Sequence, residues 1–167
     1  EEGNLAKVHL SEKLRSLNSF SGIRNYPMPA GFRGELRPYQ KAGYNWLKFL
    51  NEYKLGGCLA DDMGLGKTVQ ALTLMQSEKE SGAGTTLLIM PTSLIYNWEM
   101  EANKFAPELK ILNYTGTLRN KDVKRSEKYD LVLTSYGITR LDVDLLCQFY
   151  FNYIILDESQ VIKNPTS

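Results

Sequence analysis

Gly64-Leu65-Gly66-Lys67-Thr68 is the stretch of this chain best equipped for chemistry. Two glycines let the backbone turn tightly, so that successive N–H groups can face one phosphate. A helix opening at Lys67 would add the positive end of its dipole. Lys67 supplies a point charge for the outer phosphate oxygens, and the Thr68 hydroxyl is a hard oxygen ligand suited to Mg²⁺. The strict phosphate-loop pattern asks for a further glycine where this chain has Asp61. A glycine-rich turn before an ordinary helix, with Lys67 merely solvated, is the plain alternative. A second feature favours the phosphate reading. The apolar run Tyr153-Ile154-Ile155-Leu156 ends on Asp157 and Glu158, about ninety residues after Lys67. Asp157 could hold the metal, and Glu158 could polarise a water for in-line attack on a terminal phosphate. Alone, such acids are common as solvated loop residues. Paired with a phosphate loop in one chain, they point to nucleotide hydrolysis.

These groups need a scaffold that brings both ends of a long segment together. Pro38 suits a first helical turn. Tyr39, Ala42, Gly43, Trp46, Leu47 and Leu50 follow at the spacing of one apolar helix face. Cys58-Leu59-Ala60 is a short strand candidate leading into the glycine-rich turn. Residues 67–80 read as a helix stopped by Gly82 and Gly84. The run from Thr85 to Met90 reads as a strand covered on both faces. A helix over 94–105, strands over 110–114 and 130–134, a helix over 138–149 and a strand over 153–156 complete the series. Strands alternating with helices predict a parallel α/β sheet with right-handed crossovers, and ligands gather at the carboxyl ends of such strands. Residues 1–35 read as an arm or linker with a short helix near 10–18, and the domain proper is expected from Leu36.

Composition narrows the classes. The chain has 167 residues, 43% apolar and 23% charged, about one domain's worth. Twenty basic and nineteen acidic residues give a net charge of +1, which excludes a histone-like or acidic-tail mode of action. Two cysteines, Cys58 and Cys147, are too few for a disulfide scaffold or a zinc cluster. The single histidine, His9, argues against Ser-His-Asp catalysis. No apolar run approaches the ~20 residues that span a bilayer, so no membrane role is expected. The basic segment Arg119 to Lys128 reads as a solvated loop in preference to a DNA contact.

The motifs together resemble the Swi/Snf-type DNA translocase ATPases of helicase superfamily two. The resemblance is carried by Leu36-Arg37-Pro38-Tyr39-Gln40 with Gly43 and Trp46-Leu47, and by the run Leu59 to Thr68 with Gln70. Pro91-Thr92-Ser93-Leu94 with Asn97-Trp98 carries it further, as do Thr134-Ser135-Tyr136 and Leu156-Asp157-Glu158-Ser159-Gln160 with Ile162-Lys163-Asn164. It implies the first RecA-like lobe of a P-loop NTPase, the helicase ATP-binding domain, with ATP and Mg²⁺ as cofactors. It implies adenine recognition by Gln40. Phosphate and magnesium contacts fall to Met63, Gly64, Leu65, Gly66, Lys67 and Thr68, the metal carboxylate to Asp157, and the catalytic base to Glu158. Pro91, Thr92, Ser93, Asn97, Trp98, Ser135, Tyr136, Lys163 and Asn164 would line a groove for the double-stranded DNA backbone, where contacts fix position without reading sequence. Trp98 could equally anchor the core, Thr92 and Ser93 could cap the helix that follows, and Tyr136 could serve packing.

Many members of that family carry histidine where this chain has Gln160, a neutral hydrogen-bonding substitute. Gln160 leans toward bacterial members, and so toward a cytoplasmic, nucleoid-associated setting over a nuclear one. The family's motor has a second lobe, and its third motif is expected beyond Ser167. Residues 1–167 alone are therefore expected to have little or no ATPase activity. The strand carrying the third motif lies centrally in the family's sheet. A strand from another copy, or a rearranged strand of this chain, is expected to fill that place.

Overall fold

The computed structural model describes residues 22–52 and 67–157. The helix expected near 10–18, the strand expected at 58–60 and the phosphate-loop glycines lie outside the described residues.

The chain enters through an irregular segment and forms helix α1, Pro38–Glu52, then α2, Lys67–Glu80. Strand β1, Thr86–Met90, leads to α3, Thr92–Phe105, and β2, Ile111–Asn113. A 3₁₀ turn at Val123–Lys128 precedes β3, Leu131–Ser135. Two short helices, α4, Tyr136–Leu141, and α5, Val143–Leu146, precede β4, Tyr153–Leu156. The strands form one four-stranded sheet in the order β2-β3-β1-β4. Every pairing is parallel: Thr86 sits opposite Leu131 on one side and Tyr153 on the other, and Ile111 opposite Leu131. The α/β expectation is borne out.

Side-chain alternation assigns the two faces. Leu88, Met90, Leu131 and Leu133 point to the face covered by Ala71, Leu72 and Met75 of α2 and Ile95, Trp98 and Ala102 of α3. Leu87, Ile89 and Val132 point to the other, covered by Val123, Leu146 and Phe151 with Tyr136 and Ile138 packed against them. All five residues of β1 are buried, as its continuous apolar run predicted, and so are all five of β3. Helix α2 is buried along Gln70–Gln76 because α1, α3 and the sheet surround it. It ends where Gly82 adopts φ +76°, with its N–H on the Lys79 carbonyl at 3.0 Å. Among the described residues no helix is long and apolar enough to cross a membrane.

Three expectations change. The apolar face of α1 is rotated: Tyr44, Phe49 and Leu50 are buried, while Tyr39 and Trp46 are 47% and 40% exposed. The cause is the segment before α1. It lacks regular structure, as its glycines and prolines suggested, yet it is strapped down. Tyr26 packs with Tyr44, Phe49 and Leu50. The Tyr44 hydroxyl donates to the Pro27 carbonyl at 3.0 Å, and Arg24 grips Glu52 with two bonds of 2.8 and 2.9 Å. The Ala30 and Gly31 N–H groups donate to the Glu80 carboxylate, and Phe32 stacks on Phe105. On its other side α1 meets α2 at Gly43, where a Cβ would lie 2.1 Å from Gln70 Oε1.

The single helix expected over 138–149 is two short ones, broken at Asp142. The segment from Arg119 is also not wholly solvated, and both facts share one cause. The buried Asp142 carboxylate accepts from Arg119 Nε at 2.6 Å and from the Tyr114 hydroxyl at 2.8 Å. Arg119 also donates to the Gly116 carbonyl at 2.7 Å. Asp142 is thus drawn across to the preceding loop instead of continuing a helix. The Arg119 bond, with help from Tyr114, holds the Asp142 carboxyl below its ordinary range. A depressed folded value stabilises fully above the unfolded value, about 3.9, and the contribution is lost as pH falls through the folded value. Asp142→Asn should therefore make the acid limb of the stability–pH curve shallower, as chemical denaturation at stepped pH would measure.

Candidate nucleotide and nucleic-acid site

Parallel pairing puts the carboxyl ends of β1, β3 and β4 on one edge of the sheet. Met90 is in register with Ser135, and Ile89 with Leu156. Pro91, Thr92 and Ser93 therefore leave β1 beside Ser135 and Tyr136 leaving β3, with Asp157 following β4. The structure brings together one residue of the acidic pair and two of the groove segments. Glu158, Lys163, Asn164, Met63, Gly64, Leu65 and Gly66 lie outside the described residues.

Lys67 and Thr68 lie in the first described turn of helix α2. Glu101 of α3 comes within hydrogen-bonding reach of the Thr68 side chain. Burial pushes the Glu101 carboxyl up, the Thr68 bond and Lys104 pull it back, and its buried Oε2 has no hydrogen-bond partner among the described residues. Sequence reasoning passed over Glu101. Its signal was its place on α3, three residues after Trp98. Gln40 turns back to the start of α1, where its Oε1 accepts the Arg37 N–H at 2.8 Å.

Among the described site residues, Asp157 is held by bonds with three other residues. Its N–H donates to the Ile89 carbonyl at 2.8 Å. Its Oδ2 accepts from Trp98 Nε1 at 2.9 Å, and its carbonyl accepts from the Tyr136 hydroxyl at 2.7 Å. Of the two roles open to Trp98, the core one is what the geometry shows: it is 3% exposed. The capping role open to Thr92 and Ser93 is not used. The N-cap of α3 is Pro91, without a side-chain cap bond, and both residues are exposed, as is Asn97. Ser135 is the residue that caps: its Oγ accepts from the Ile138 N–H at 3.2 Å, opening α4.

Residues 39–167 match the profile of the SNF2-related domain. The chain belongs to this family. It is 46% identical over 164 residues to the YwqA protein of Bacillus subtilis, covering 93% of this chain and 18% of that protein. It is 40% identical over 159 residues to the TATA-binding protein-associated factor mot1 of Schizosaccharomyces pombe, covering 86% of this chain and 8% of mot1. Among solved structures it resembles the Sulfolobus solfataricus SWI2/SNF2 ATPase core in complex with dsDNA. That match has a TM-score of 0.73 at 37% identity, over 86% of this chain and 30% of that one. The fold is accordingly part of a RecA-like lobe of helicase superfamily two. The chain spans less than a fifth of these two relatives' length. The Swi/Snf resemblance read from the motifs is thereby established.

Proposed function

We propose that this chain is the ATP-binding part of a DNA-dependent ATPase that translocates on double-stranded DNA and remodels protein–DNA complexes. The observation that carries the reading is the shared sheet edge, where Asp157 lies alongside the segments that begin at Pro91 and Ser135. A reacting phosphate and a DNA backbone can be served from one edge only if the strand ends converge there. Membership of the SNF2-related family, and likeness to an ATPase core solved with dsDNA, support the same conclusion.

The donor set fits Mg²⁺. The Thr68 hydroxyl and the Asp157 carboxylate are hard oxygen ligands, and Mg²⁺ is commonly held by one or two such groups completed by substrate phosphates. When bound, the metal would offset charge developing on the phosphates. Lys67 would hold the outer phosphate oxygens, and Glu158 would take a proton from the attacking water. Gln40 would reach adenine by exchanging its bond to the Arg37 N–H. Thr92, Ser93 and Asn97, exposed at the opening of α3, suit phosphate contacts. Ser135, Tyr136, Lys163 and Asn164 belong to the same groove in this reading, and Trp98 supports it from the core.

A second lobe would complete the nucleotide site. Without it, residues 1–167 would turn over little ATP, since an arginine supplied from another element is worth about 10³–10⁵ in rate in related phosphoryl transfer. The outer edge of β4, unpaired among the described strands, is where a further strand from this chain or another copy would add. The likeness to the Bacillus protein and the presence of Gln160 support a bacterial, nucleoid-associated setting.

The test is ATP hydrolysis by the intact protein with and without duplex DNA. Turnover should rise with duplex DNA, and a forked duplex should stay annealed. Release of a single strand from the fork would make the protein a strand-separating helicase. Hydrolysis indifferent to DNA would overturn the reading.

A further inference from the structure

Asp157 is held from three directions by three different elements. The backbone bond to Ile89 extends the β1–β4 ladder by one residue. The other two bonds come from the segments assigned to the DNA groove. Trp98 lies on α3, whose first turn exposes Thr92 and Ser93, and its indole N–H reaches Asp157 Oδ2 at 2.9 Å. Tyr136 opens α4, directly after Ser135, and its hydroxyl donates to the Asp157 carbonyl at 2.7 Å. Each segment thus gives neighbouring residues to the sheet edge and one side chain to Asp157.

We propose that Trp98 and Tyr136 are positioning residues that fix the Asp157 carboxylate for its metal and couple it mechanically to the two groove segments. The inference rests on the nucleotide-hydrolysis reading given above.

A carboxylate at a strand end can rotate about two side-chain bonds. A donor on a flexible chain would restrain it weakly. The indole of Trp98 is different, because it sits in the core formed by α2, α3 and the sheet, packed among Met75, Leu88 and Ile95. Its N–H therefore has a set position relative to β1, and Asp157 Oδ2 takes its position from the ring. Tyr136 acts on the main chain instead. Its ring packs against the opposite face of the sheet, and its hydroxyl fixes the peptide on which the carboxylate stands. The two residues approach Asp157 from the two layers of the sandwich. A shift of α3 or α4 under load at the groove would move the donors and so the carboxylate. Hydrogen bonds to a ligating carboxylate are commonly worth 10–100-fold in metal affinity or activity.

The experiment uses the intact protein and two variants that keep an aromatic ring while deleting the donor, Trp98→Phe and Tyr136→Phe. The readout is the Mg²⁺ concentration giving half-maximal binding of a fluorescent ATP analogue, with and without duplex DNA, alongside the thermal midpoint. Trp98→Phe should raise the Mg²⁺ midpoint by roughly 10-fold, with binding restored at high Mg²⁺. Tyr136→Phe should raise it in the same direction. Any shift of the midpoint that duplex DNA causes in the wild type should shrink in both. A merely structural role would lower the thermal midpoint and leave the Mg²⁺ midpoint in place, and that result in both folded variants overturns the proposal. If Trp98→Phe does not fold, Tyr136→Phe decides alone. Asp157→Asn separates the two levels of inference. Should it leave the Mg²⁺ midpoint unchanged, Asp157 is no metal ligand and the functional reading falls as well. Should it shift the midpoint while neither ring variant does, only the positioning roles fall.

Discussion

Lys67→Ala in the intact protein should lower ATP turnover by about 10²–10³-fold, the usual loss when one preorganised charge-stabilising group is removed. Lys67 lies in the first described turn of α2, and in the phosphate-loop reading its ammonium stands where the helix dipole favours an anion. Alanine keeps the helix and removes the charge proposed to meet the outer phosphate oxygens. Glu158→Gln should cost about 10²–10⁴-fold, the range for a lost general base. The two variants should differ in binding. Glu158→Gln retains Mg²⁺–nucleotide, because Asp157 and Thr68 are untouched, whereas Lys67→Ala weakens it. Steady-state phosphate release with duplex DNA, paired with equilibrium nucleotide binding, measures both. Full turnover by Lys67→Ala would remove the phosphate loop from the mechanism.

Leu88→Ala should destabilise the fold by about 2–5 kcal/mol. Leu88 has 0% exposure at the middle of β1, between β3 and β4, and faces the core that α2 and α3 cover. Neighbours held by two hydrogen-bonded strands can close only part of the cavity. The sheet edge that presents Asp157 depends on the same strand, so stability and nucleotide binding should fall together. Leu118→Ala is the control. Leu118 is 97% exposed, and its loss should stay within about 0.5 kcal/mol. Denaturant titration of both variants gives the comparison.

Legibility in the sequence followed range. Helix α2 ends at Glu80 and strand β4 spans Tyr153–Leu156, both as expected. In both, local signals and tertiary packing agree: Gly82 stops the helix, and Asp157 follows the last strand residue. Helix α1 was found, but its buried side was not. The partner that rotates it, the segment around Tyr26, carries no periodicity of its own. The break at Asp142 was equally hidden, since it depends on Arg119, twenty-three residues earlier. At the site, the spacing of Lys67, Thr68 and Asp157 read as nucleotide chemistry from residue type alone. The bond from Trp98 to Asp157 spans fifty-nine residues and needs the fold before it can be seen. Thr92 and Ser93 had the chemistry of caps, yet Pro91 occupies that position and leaves their hydroxyls outward.

The strand order also sets a timetable for synthesis. β1 is the earliest of the described strands, yet it lies between β3 and β4, which come later in the chain. Sixty-three residues separate Met90 from Tyr153, so at ~5–20 residues per second β1 would wait about 3–13 s for its last neighbour. During that interval a nascent chain carries the five-residue run Thr86–Met90 with at least one edge lacking its described neighbour and apolar side chains on both faces. Such an edge is a template for pairing with another chain. The architecture that delivers Asp157 to the site edge therefore leaves β1 open to pairing with another chain until Tyr153 has been made.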